Sequence, residues 1–121
     1  MRKVEIFKEF TVDSAHSLPF VPEDHKCRRV HGHTYRIRVV LEAPLHPTLG
    51  WVADFADVKA AFEPVKEALD HHYLNDIPGL ENPTAEHIAI WIWDQLIGPL
   101  PDLKEIHLHE TPTSGVVYRG R

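Results

Sequence analysis

A chain of 121 residues with 43% hydrophobic and 26% charged content has the size and composition of one globular domain, residues 1–121, around a single core. A formal charge of -5 with no basic stripe argues against a nucleic-acid partner. No run of about 18 apolar residues offers a membrane span, and the alternating MRKVEIFKEF start is no signal segment, so a cytoplasmic protein without a membrane partner is expected.

The first element is a half-buried strand over Val4–Leu18, where Val4, Ile6, Phe10 and Val12 share one parity and Glu5, Glu9, Thr11 and Asp13 the other. A loop rich in proline and charge, PFVPEDHKCRR, follows, and then Tyr35, Ile37, Val39 and Leu41 alternate with polar residues in a second, antiparallel strand. Asp54 reads as the N-cap of a helix presenting Phe55, Val58, Phe62, Val65 and Leu69 on one face, with Pro64 expected to kink or interrupt it. Asn82-Pro83 supplies a cap and first-turn proline for a second helix reaching about Leu96, apolar enough around IAIWIW to be largely buried. Lys104–Thr111 and Val116–Arg119 then form two short strands around PTSG. The order is β-β-α-α-β-β, an α+β arrangement without internal linker or low-complexity run.

Ten histidines, spread along the chain, are the unusual count, and a single cysteine excludes a disulfide framework. Successive strand residues point to opposite faces, so parity assigns each histidine a side. His16 shares the apolar parity of the first strand, and His31 and His33 share that of the second. The H-x-H pair, about 7 Å apart along its strand, and a third imidazole on the neighbouring strand point to a metal, zinc by donor type, with its fourth position open. Taken singly, each histidine has a plainer role bonded to a backbone carbonyl. Gly32 between the pair suits close backbone approach. His25, His46, His87, His107 and His109 lack such convergence and read as solvated or structural.

Cys27 lies among Lys26, Arg28 and Arg29, a setting that favours a reactive thiolate. The spacing equally allows a fourth, structural zinc ligand or a quietly buried side chain. Asp70-His71-His72 contains a carboxylate and imidazole that can form a base-and-orienter pair, although such a pairing also arises by chance. Glu110 shares parity with Ile106 and Leu108, so its carboxylate points to the covered face. It anchors the N–H donors of a ligand or forms a salt bridge to Arg119 or Arg121.

The sequence resembles the 6-pyruvoyl-tetrahydropterin synthase family, and within it the bacterial branch that serves 7-deazaguanine (queuosine) synthesis. The likeness covers nearly the whole chain. It rests on FTVDSAH ending at His16, C-x3-H-G-H from Cys27 to His33, LDHHYLND around Asp70, the ENPTAE helix start and the late HET containing Glu110. Three residues between the cysteine and H-G-H favour the queuosine branch over the biopterin enzyme, which has five, and Cys27 itself counts against a folate-pathway form that carries glutamate there.

The resemblance implies zinc on His16, His31 and His33, Cys27 as the proton-transferring thiolate, Asp70 and His71 activating it, and Glu110 holding the pterin. It implies a lyase acting on 7,8-dihydroneopterin triphosphate to release 6-carboxy-5,6,7,8-tetrahydropterin, acetaldehyde and triphosphate. The alternatives are a biopterin-type synthase that keeps the side chain, and a zinc-containing pterin binder without turnover. The implied fold is the tunnelling fold (T-fold): an antiparallel sheet with two helices on one face, subunits closing a barrel as a homo-hexamer, a dimer of trimers, with sites between subunits. Lys26, Arg28 or Arg29 would help bind the triphosphate.

Overall fold

The computed structural model describes residues 1–121. Four antiparallel strands lie in sequence order, β1 (Lys3–His16), β2 (His31–Pro44), β3 (Leu103–Thr111) and β4 (Ser114–Tyr118), leaving β1 and β4 as free edges. Helices α1 (Phe55–Leu69) and α2 (Ala85–Leu96) intervene between β2 and β3, α1 against β1 and α2 against β3 and β4. This is the expected α+β order with both helices over one face. The core is Val12, Tyr35, Ile37, Val39, Ile106 and Leu108 of the sheet against Val58, Phe62, Leu69, Ile88 and Ile92 of the helices. Burial of such side chains contributes about 25 cal/mol per Å² of apolar surface removed from water.

Several boundaries differ from the sequence reading, each for a local reason. Strand β1 ends at His16 rather than Leu18, because Ser17 turns to bond Asn75 through both its N–H and its carbonyl. Helix α1 is not interrupted at Pro64 but runs on to Leu69. Pro64 can offer no N–H to the Ala60 carbonyl, yet both residues are exposed, so water can satisfy that oxygen. Phe55 at the start of α1 stays half-exposed, beyond the reach of the core that covers Val58 and Phe62.

Helix α2 is capped by Thr84, whose hydroxyl accepts the His87 N–H at 3.1 Å, not by Asn82-Pro83. Pro83 sits one residue before the cap, so its carbonyl is free for another partner. Only Ile88, Ala89, Ile92 and Leu96 of α2 are buried, and Ile90 remains 36% exposed. The helix is amphipathic rather than buried all round, because one face alone meets the sheet. The last hairpin turns at Pro112-Thr113, with Ser114 and Gly115 already in β4. No helix is long and apolar enough to cross a membrane.

Candidate metal and pterin site

The site forms at the end of the sheet where β1 finishes and β2 begins. Register sets His16 opposite His31 and Ser14 opposite His33, so the side-chain parity of neighbouring strands brings three imidazoles together. Their ring centroids lie 4.5, 5.1 and 5.0 Å apart, and one ligand atom from each falls within 4.8 Å of the others. His16 is fully buried, and burial, reinforced by His31 and His33, lowers its pKa and keeps its ring neutral against the opposing pull of the Pro83 carbonyl.

Backbone carbonyls set the orientation of two rings. His16 Nδ1–H donates to the Pro83 carbonyl at 2.8 Å, and His31 Nδ1–H donates to the Arg29 carbonyl at 2.7 Å. Those bonds fix the tautomers and leave each Nε2 as a lone-pair donor. His33 Nε2 is buried and has no hydrogen-bond partner, with the Glu110 carboxylate 3.7 Å away. Three converging imidazoles, one with an orphaned buried nitrogen, fit a divalent cation.

Cys27 sits on a 3-10 turn, Lys26–Arg28, and is not among the converging ligand atoms. Its carbonyl accepts the Leu18 N–H at 2.8 Å, which ties the turn to the exit of β1 two residues beyond His16. The His25 ring accepts the Cys27 N–H at 3.0 Å.

The Asp70–His71 pair forms as the DHH motif suggested: His71 Nδ1 lies 3.0 Å from Asp70 Oδ2. Asp70 ends α1, and its other oxygen accepts the Asp13 N–H at 2.8 Å; that bond and the His71 contact hold its carboxyl below the usual range. His71 adopts the left-handed conformation, φ 57°, clamped by its own N–H to the Asp13 carbonyl. Residues Asp70 to Tyr73 thereby run beside the end of β1, joined further by Ala15 N–H to the His72 carbonyl. His71 borders a groove with Asp13, Gly32, Thr34 and Tyr73 that Cys27 does not line.

Glu110 faces His33, as parity required, and its proposed salt bridge to Arg119 does not form: Arg119 pairs with Glu105 at 2.6 Å. At Gly32 a Cβ would meet only the Ser14 carbonyl at an ordinary 3.5 Å, so close backbone approach is not what glycine serves there. Several of the remaining histidines do local work; His46 accepts two N–H groups of its own turn, and His107 pairs with Glu105. The sequence reading missed the Pro83 and Arg29 carbonyls, which carry no side-chain signature, and Tyr35, whose apolar parity marked it as core alone.

The sequence model of the family described as 6-pyruvoyl tetrahydropterin synthase matches residues 5–121. The chain is 44% identical over 119 residues to the 6-carboxy-5,6,7,8-tetrahydropterin synthase of Synechocystis sp., covering 93% of this chain and 91% of that protein. It is 34% identical to the dihydroneopterin monophosphate aldolase of Pyrococcus furiosus, with 94% and 96% coverage. Among solved structures, Caenorhabditis elegans 6-pyruvoyl tetrahydropterin synthase superposes with a TM-score of 0.92 at 27% identity, over 100% of this chain and 98% of that one.

Proposed function

Because this chain belongs to the 6-pyruvoyl tetrahydropterin synthase family, we propose that it is a zinc-dependent carbon–carbon lyase, a 6-carboxy-5,6,7,8-tetrahydropterin synthase of cytoplasmic queuosine (7-deazaguanine) synthesis. It converts 7,8-dihydroneopterin triphosphate and water to 6-carboxy-5,6,7,8-tetrahydropterin, acetaldehyde and triphosphate. The observation that carries this reading is the convergence of His16, His31 and His33 with the Glu110 carboxylate 3.7 Å from His33, a cation site and an acceptor for ring N–H groups side by side.

In this mechanism His16, His31 and His33 hold zinc through their ring nitrogens. When bound, zinc supplies positive charge beside the substrate's side-chain hydroxyls and so acidifies the neighbouring C–H. Glu110, an acceptor on both oxygens when ionised, takes the 2-amino and ring N–H donors of the pterin and fixes its orientation. Cys27 as thiolate takes the acidified proton and returns one to the ring. Asp70, kept ionised by its hydrogen bonds, orients His71 to exchange the thiol's proton. Lys26, Arg28 and Arg29 beside the thiol offer charge to the departing triphosphate.

Asp70 and His71 bond to Asp13 and make no hydrogen bond to Cys27. Both sheet edges are free and the sheet's second face carries no helix, with Phe7 54% and Val117 44% exposed on it. These features support a homo-oligomer, a hexamer built as a dimer of trimers, in which His71 of one copy meets Cys27 of another.

The direct test is to incubate zinc-loaded protein with 7,8-dihydroneopterin triphosphate and identify the products by mass. Acetaldehyde and the 6-carboxy product are expected; 6-pyruvoyl-tetrahydropterin would assign the biopterin-type reaction instead. Cys27→Ala should keep its zinc and lose turnover by at least about a hundredfold. Loss of zinc in that variant would make Cys27 a ligand and the site structural.

A further inference from the structure

The ladder between β2 and β3 stops at Arg36 and His109, and beyond it the two strands part around a groove of about 660 Å³. His33 and Glu110 line this groove from the covered face of the sheet, and Thr11, Arg36 and His109 line it from the uncovered face. Register sets Thr11 opposite Arg36 and Arg36 opposite His109, so the three form one row across β1, β2 and β3. Side chains so placed have Cβ atoms about 5 Å apart. The next row on the same face, Glu9, Arg38 and His107, is paired: Glu9 accepts from Arg38 at 3.0 Å, and Glu105 accepts from His107 and Arg119. In the row at the groove no carboxylate answers the exposed Arg36 guanidinium, and the Thr11 hydroxyl and His109 ring make no hydrogen bond within the chain. Joining of copies through the β1 and β4 edges leaves this row open, because it is centred on the inner strands.

We propose that Arg36, with the Thr11 hydroxyl and His109 beside it, forms an oxyanion subsite that takes the phosphate groups of a ligand held at the three histidines. A guanidinium offers parallel N–H donors that match phosphate oxygens, and hydroxyl and imidazole donors add to them. The groove therefore has a hydrogen-accepting end at Glu110 and a hydrogen-donating end at Arg36. The inference rests on the functional reading above for the ligand's other end: a pterin with a polyphosphate tail carries ring N–H donors and phosphoryl oxygens to match. Arg36 lies three residues from His33, about 10 Å along the strand, a span that a triphosphate tail can cover. Lys26, Arg28 and Arg29 line neither groove beside the histidines, and Arg28 already donates to the Val21 carbonyl at 2.9 Å.

Arg36→Gln removes the charge from an exposed side chain that pairs with nothing, so the fold is not at stake. Binding to the zinc-loaded full chain is measured by calorimetry with inorganic triphosphate, with 7,8-dihydroneopterin, and with 7,8-dihydroneopterin triphosphate on a Cys27→Ala background. The substitution should weaken inorganic triphosphate and the phosphorylated pterin about tenfold each, and leave unphosphorylated dihydroneopterin and zinc content unchanged. Inorganic triphosphate that binds both chains equally, as it would by touching zinc alone, overturns the proposal. Equal weakening of the phosphorylated and unphosphorylated pterins overturns it too.

Inorganic triphosphate, which has no pterin ring, separates this inference from the functional reading. Should the parent protein bind neither pterin while Arg36→Gln still weakens inorganic triphosphate, the pterin reading fails and the subsite stands. Should the parent bind both pterins with equal affinity, the phosphates meet no subsite, and the proposal fails while the pterin reading stands.

Discussion

His16, His31 and His33 owe their chemistry to what surrounds them more than to their spacing. The Pro83 and Arg29 carbonyls hold the Nδ1–H of His16 and His31, and His33 Nε2 is left buried without a partner. In water each imidazole would titrate freely; here desolvation keeps His16 neutral and so able to donate a lone pair. His33→Ala should therefore lower metal content, read by atomic absorption, to roughly a tenth of an ion per chain after dialysis, since it deletes one of three protein ligands. A protein that retains one ion per chain would mean the metal sits elsewhere. Glu110 belongs to the same scale: Glu110→Gln keeps the shape but replaces one acceptor oxygen with a donor. Pterin affinity is expected to fall about a hundredfold by fluorescence titration, with metal content unchanged.

Among the elements, α2 couples stability to the site. Thr84 caps the helix through the His87 N–H, and the residue before it, Pro83, offers its carbonyl to His16. Thr84→Ala should cost about 1 kcal/mol of unfolding free energy in urea and also weaken metal binding, because the cap and the carbonyl share a backbone turn. A stability loss with unchanged metal affinity would separate the two. In α1, Pro64 occupies an interior position with Ala60 exposed beneath it. The patterns of both helices were legible because their apolar residues recur at helical spacing. The details went astray where burial decided: Phe55 fits the periodicity but lies beyond the sheet, and the cap fell on Thr84 because its hydroxyl reaches the His87 N–H.

At the scale of the whole molecule, charges on the uncovered face of the sheet bind strand to strand. Glu105 accepts from His107 at 2.9 Å and from Arg119 at 2.6 Å, and these partners, His107 first, hold its carboxyl below the ordinary value. A depressed folded-state pKa stabilises above the unfolded-state value and is lost as pH falls through the folded-state one. Glu105→Gln should thus lower Tm by a few degrees at pH 7, with the gap closing as pH falls through the depressed folded-state pKa, where the glutamate takes up its proton and both side chains are neutral. A gap that persists in acid would point to packing, not charge. The free β1 and β4 edges bear on assembly. Co-refolding inactive Cys27→Ala and His71→Ala chains in equal amounts should restore activity at about a quarter of sites if the relay joins two copies, and at none if it lies within one.

Strand alternation by itself placed His16, His31, His33 and Glu110 on the covered face, since a period of two leaves a side chain only two directions. The helices, their order and the Asp70–His71 pairing were equally readable, because each depends on neighbours a few residues apart. The tertiary structure alone decided which backbone carbonyls orient the rings, that Arg119 turns to Glu105 and leaves Glu110 facing His33, and that the Tyr35 hydroxyl is trapped beside His16. Those contacts join residues far apart in the chain, as Pro83 and His16 are, and local pattern carries no signal for which distant carbonyl or hydroxyl will arrive.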